Sequence, residues 1–163
     1  MTREGFLAHA ARIYRGARSV LRAVPPDLID HRPQPSMMSV GQLIRHMASA
    51  CGGAFEFALH FRHEPAAPPH TEPGLDSLRS HGSAGDALAH LDRDEQALRR
   101  TVLGLSEEEF QTREVPLPWS GETVPVWMLA LLMADHLSVH RMQLFQYLRA
   151  AGLPVDTGTL YGS

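Results

Sequence analysis

The chain has no lysine, and all fifteen of its basic residues are arginine. Without lysine there is no Schiff-base chemistry. A single cysteine, Cys51, excludes an intrachain disulfide and any cysteine-based zinc knuckle, and it suits a reducing cytosol. No run approaches the roughly 20 apolar residues that cross a membrane. The N-terminal "MTREGFLAHAARIYRGARSVLRAV" alternates arginines with apolar residues, so a signal peptide is not expected. Nor is there a basic stripe: the formal charge is −3, which disfavours a sequence-independent grip on nucleic acid. We therefore expect a cytoplasmic protein with no membrane or nucleic-acid partner.

What is present is an ordinary globular composition, 44% hydrophobic and 20% charged over 163 residues, enough for one domain spanning 1–163 with a real core. Four helical segments stand out. The first, about 3–24, carries Phe6, Ala10, Ile13, Ala17, Val20, Leu21 and Val24 at helical spacing. The second starts after Ser39, an N-cap residue, and runs to about 62, with Leu43, Met47, Ala50, Ala54, Phe57 and Phe61 as its apolar face. The proline- and glycine-rich stretch 63–82 reads as a long crossover. Helix three starts near Ser83 and shows Leu88, Leu91, Leu98, Val102 and Leu105. "LSEEEF" reads as a short capped turn of helix, and "REVPLPWSGETVPVW" as a small hairpin whose prolines keep it out of any central strand position. The last helix opens near Pro125 and continues to about 151, where Gly152 and Pro154 stop it. The fold expected is an all-α four-helix bundle, with the crossover between its second and third helices and the hairpin before its fourth.

Three histidines break the apolar pattern. In "ADHLSVHRMQLFQYL", His136 and His140 are four apart, so they stack on one helix face, on or beside the stripe of Leu129, Leu132, Met133, Leu137 and Leu144. His46 falls between Leu43, Met47 and Ala50, again on the inward side. One reading is core imidazoles hydrogen-bonded to partners, because an unpaired buried polar group costs about 1–3 kcal/mol. The other is a metal site in the bundle core, in which three imidazoles leave a coordination position open for water or substrate. The ligand set suits zinc or nickel, with iron and manganese tolerated. Near these residues, Gln143 is placed one turn from His140 to orient a ligand or substrate. Arg141 is placed to pair with an anionic substrate or a neighbouring helix. Glu95, between Leu91 and Leu98, is the carboxylate expected on the apolar stripe of helix three, where it would fix an imidazole tautomer. Cys51 is expected to be a buried structural thiol, and the other seven histidines to lie in loops or on mixed faces.

"SVGQLIRHMA" at 39–48 and "DHLSVHRMQL" at 135–144, with "HRP" at 31–33, resemble the DinB/YfiT-like family of damage-inducible metalloenzymes. The resemblance implies a four-helix bundle with an up-down-down-up path and a divalent metal held by His46, His136 and His140. It also implies a homodimer and a place in stress response. Relatives include enzymes that transfer or isomerise with a low-molecular-weight thiol such as bacillithiol or mycothiol. The function expected is therefore a metal-dependent hydrolase or thiol S-transferase acting on a small molecule. A non-catalytic metal-binding or sensing bundle and a purely structural dimer are the alternatives.

Overall fold

The computed structural model describes residues 1–61 and 78–163, so most of the stretch read as a crossover lies outside the described residues. The described part is mostly helical, with one small sheet. α1 (Arg3–Arg22) begins at Thr2, whose hydroxyl accepts from the Gly5 amide, and buries Phe6, Ala10, Ile13, Ala17, Val20 and Leu21 as the periodicity predicts. α2 (Val40–Met47) opens on Ser39 with a full capping box: the Ser39 hydroxyl accepts from the Gln42 amide, and the Gln42 side chain accepts from the Ser39 amide.

The second helix is not continuous. It breaks after Met47 and resumes as α3 (Gly52–His60). At the break the Ala54 amide reaches back five residues, to the Ser49 carbonyl, instead of four. One extra residue in the turn rotates everything after it. The inward residues therefore become Phe55, Ala58 and Leu59 rather than Ala54, Phe57 and Phe61, and Phe57 is 53% exposed. The dipeptide Gly52-Gly53 is the local cause, since glycine is the weakest helix former after proline.

α4 (Ala84–Gly104) starts at Ser83 as expected, and α5 (Glu107–Thr112) carries a capping box between Ser106 and Glu109. The hairpin forms as β1 (Glu114–Pro116) and β2 (Thr123–Pro125), antiparallel with Val115 opposite Val124. Both valines are buried, while each strand has only three residues, so the hairpin acts as a clip on the core rather than a sheet layer. α6 (Val126–Ala150) follows directly and packs on α1, α2, α3 and α5. Neighbours on several sides explain why this helix is apolar around most of its circumference. A short helix the sequence reading did not anticipate, α7 (Thr157–Tyr161), is capped by Asp156 and seats Leu160 against the core beside α1. α1 also packs on α4, and α3 on both α4 and α6, which encloses one hydrophobic cluster.

Candidate metal centre

The three inward histidines converge where α2 faces α6. Each offers one nitrogen, and these atoms all lie within 4.8 Å of one another. The His46 Nε2 and the His136 Nε2 are 3.0 Å apart. The three rings meet edge to face, with centroids separated by 4.9, 4.4 and 4.7 Å. All three are half-buried. Burial first, and then the neighbouring His140 and His136, hold the His46 pKa down to about 4, so its ring is neutral at pH 7.

Two of the rings are oriented from behind. The Nδ1 of His136 lies 3.2 Å from the Ala50 carbonyl, which can only accept, so His136 carries its proton there. That carbonyl is available because of the helix break: the Ala54 amide, its partner in an unbroken helix, bonds to Ser49 instead. The Nδ1 of His140 donates to the Gln143 Oε1 at 2.9 Å, and the Gln143 Nε2 donates to the Tyr147 hydroxyl at 3.1 Å. Each of these rings thus has Nδ1 as its N–H and Nε2 as its basic nitrogen. Metal-binding imidazoles take this tautomer when an acceptor fixes the other ring nitrogen.

Of the other residues singled out in the sequence, Gln143 stands beside the cluster through His140. Glu95 is engaged elsewhere, ion-paired with the guanidinium of Arg18, which also holds Asp92. Arg141 lies against Gly16 and Leu160, with its guanidinium 5.5 Å from the centroid of the Tyr161 ring. His81 and His90 meet edge to face at 5.6 Å, and burial first, then Arg45, lowers the pKa of both. Cys51 is buried, and its burial pushes the thiol up to about 12. Trp127 packs on the core while Trp119 is 48% exposed.

Sequence reasoning missed Asp94. It, and not Glu95, is the inward carboxylate of α4, only 5% exposed. It accepts from the amides of Gly52 (2.8 Å) and Gly53 (2.7 Å) and from the hydroxyl of Tyr14 (2.6 Å). The first turn of α3 is therefore capped from another helix, and three elements are tied at the break that frees the Ala50 carbonyl. The signal was available, because position 94 continues the buried series Ala87, Leu91, Leu98 and Val102 at helical spacing. Glycine at position 52 is required by this contact. A Cβ on Gly52 would fall on the backbone carbonyl oxygen of Asp94.

Residues 9–144 match the model of the DinB superfamily. No curated protein matches the chain significantly. Among solved structures, a DinB-like protein from Bacillus cereus superposes with a TM-score of 0.74 at 17% identity, covering 95% of this chain and 96% of that one. The DinB-like protein YjoA from Bacillus subtilis gives 0.65 at 16% identity, covering 93% and 94%. At such identities the structural likeness speaks for the fold, and the superfamily's model spans most of the sequence. The chain belongs to the DinB superfamily.

Proposed function

We propose that this protein is a metal-dependent enzyme in which His46, His136 and His140 hold a divalent ion, zinc or nickel before iron or manganese. The observation that carries the reading is the pair of anchored tautomers: Ala50 behind His136 and Gln143 behind His140. Histidines that served only as core packing would need no such common orientation toward a third ring. The donor set fits the ion, being three neutral imidazoles whose ligand nitrogens lie close together.

A divalent ion in this place supplies Lewis acidity, polarising a carbonyl or acidifying water or a thiol. The chain's own residues supply the rest. The Ala50 carbonyl and the Gln143–Tyr147 pair hold two imidazoles in register and keep their Nδ1 protons from the reacting side. Apolar neighbours such as Leu43, Met47 and Leu137, all fully buried, keep water from behind the cluster. Three protein ligands leave room for a small substrate, and we assign the reaction to hydrolysis or to transfer of a low-molecular-weight thiol.

In this reading α1, the broken pair α2–α3, α4 and α6 are the four members of an up-down-down-up bundle. The protein works in the cytoplasm, where its one thiol stays reduced, as a homodimer with a role in stress response. Among the described residues no helix is long and apolar enough to cross a membrane.

Metal analysis by mass spectrometry on tag-free protein tests the centre. About one ion per chain is expected in the wild type, lost in His46→Ala, His136→Ala and His140→Ala. A wild type that stays empty after reconstitution with zinc and nickel overturns the proposal. Loaded protein is then assayed with ester substrates and with thiol–electrophile pairs. Turnover that follows metal occupancy supports an enzyme, and occupancy without turnover across both classes removes the catalytic assignment.

A further inference from the structure

The opposite side of α6 carries a second constellation that the histidine centre does not use. Asp135, Ser138 and Arg141 share a helix face about 180° from that of His136 and His140. With residues of α1 and with Tyr161 they line an open cleft of about 330 Å³. This lies at the lower end of the roughly 300–1,000 Å³ typical of small-molecule sites.

Arg141 is the unusual member. Its Nε is buried and has no hydrogen-bond partner among the described residues. The ion pairs among the described residues engage Arg3 and Arg18, not Arg141. Gly16 is what lets it sit there, since a Cβ at that position would come within 2.6 Å of its Nη1 and 2.8 Å of the Leu160 carbonyl oxygen. A guanidinium drawn into a protein without a counter-charge is unfavourable, and one used only for bulk would be better replaced by an apolar side chain. Two further guanidiniums, Arg12 and Arg15, line the same cleft together with His9, and Asp135 is the one carboxylate among its described lining residues.

We propose that this cleft binds a phosphate group, free or as a monoester of a small molecule, with Arg141 as the anchor and Arg12 and Arg15 closing over the outer oxygens. A dianion matches an excess of guanidiniums over carboxylates, and the planar fork of arginine pairs two phosphate oxygens at once. The site is separate from the metal centre and does not depend on it.

The test is thermal unfolding of the metal-free full chain in chelator, titrated with sodium phosphate or phenyl phosphate against sodium chloride at matched ionic strength. The expected result is a saturable rise in Tm, about 3–5 °C at ten times the dissociation constant. Arg141→Met should abolish the saturable part, while His140→Ala should keep it. Arg15→Gln, at an exposed position, should weaken binding about three- to tenfold without disturbing the fold, which keeps the test decisive should Arg141→Met fold poorly. A stronger response to phenyl phosphate than to inorganic phosphate identifies an organic monoester as the ligand class, and the reverse identifies free phosphate. A linear, unsaturable rise equal in wild type and variants is general ion exclusion and overturns the proposal. So does saturable binding that survives both arginine substitutions.

Discussion

His136 gives its Nδ1 proton to the carbonyl of Ala50, 3.2 Å away and 86 residues earlier in the chain. The acceptor exists because the second helix breaks there, so a defect in one helix orients a ligand candidate on another. Gly52→Ala tests this relationship. The new methyl would strike the Asp94 backbone, which is not a flexible neighbour. We expect a loss of about 1–3 kcal/mol in stability, in the range of other overpacked sites, together with weaker metal retention. Chemical denaturation and metal analysis on the same preparation check both. Wild-type stability in this variant would mean that the break tolerates a side chain.

Gln143 offers a cleaner separation of site from fold. It bonds His140 on one side and Tyr147 on the other. Gln143→Ala should lower metal affinity about 10- to 100-fold while changing stability little, because outer partners of ligating histidines commonly act at that level. Tyr147→Phe keeps the amide in place and should have a smaller effect. Competition against a chromophoric chelator measures both affinities. Equal affinities for wild type and Gln143→Ala would remove Gln143 from the site.

The Asp94 knot predicts large effects far from any chemistry. Asp94→Ala leaves two backbone amides and the Tyr14 hydroxyl without their acceptor inside the core. A loss of about 3–5 kcal/mol is expected, as for other broken buried charge networks. Tyr14→Phe removes one bond of the three and should cost about 1.5–3 kcal/mol, the range for a bond to a charged group. Burial first, and then the neighbouring Cys51 and Asp94, raise the Tyr14 pKa, so its phenol stays protonated and remains a donor through the alkaline range. Because these groups share one network, the double variant should lose less than the sum of the single losses. Urea denaturation of the two single variants and the double completes the cycle.

Acid sensitivity should come in part from the two short capped helices. The backbone amide of Ser106 first, then its side chain, holds the Glu109 carboxyl below its ordinary 4.5. The backbone amide of Thr159 first, then its side chain, holds the Asp156 carboxyl below 3.8. A carboxylate whose folded pKa is depressed adds stability that is complete above its unfolded value and is lost as pH falls through the folded one. Their share is therefore whole at neutral pH, begins to fall as pH nears the ordinary 4.5 and 3.8, and is gone only below the lower folded values. Both groups are exposed, so the effect is modest and screened by salt. Glu109→Gln combined with Asp156→Asn should flatten the fall of Tm between pH 5 and pH 3. An unchanged slope would assign acid sensitivity to other carboxylates.

Much of the architecture was legible because it follows from local rules. Ser39, Ser83 and Ser106 are N-caps whose hydroxyls accept backbone amides, so the second and third helices could be started at or near Ser39 and Ser83 and a short capped turn expected in "LSEEEF". The hairpin followed from β-type residues around a Ser-Gly turn. The same periodicity put His46, His136 and His140 on inward faces, and their nitrogens do come together. Errors arose where two signals competed. The apolar spacing of 43–61 argued for one unbroken helix and outweighed the Gly-Gly pair that breaks it. In α4 the choice between adjacent acids favoured Glu95, although Asp94 lies on the buried series and Glu95 pairs outward with Arg18.

The sequence by itself determined most of the helix starts and which three imidazoles turn inward, since each depends on spacing and on residues a few positions apart. Tertiary structure alone decided what those imidazoles meet. The Ala50 carbonyl becomes an acceptor only when α6 is packed against the broken helix, and Asp94 becomes a cap only when α4 passes the start of α3. Arg141 becomes a half-buried guanidinium, its buried Nε without a hydrogen-bond partner among the described residues, only where Gly16 and α7 close around it. Such contacts join residues tens of positions apart, and a one-residue shift in helix phase is enough to change their partners.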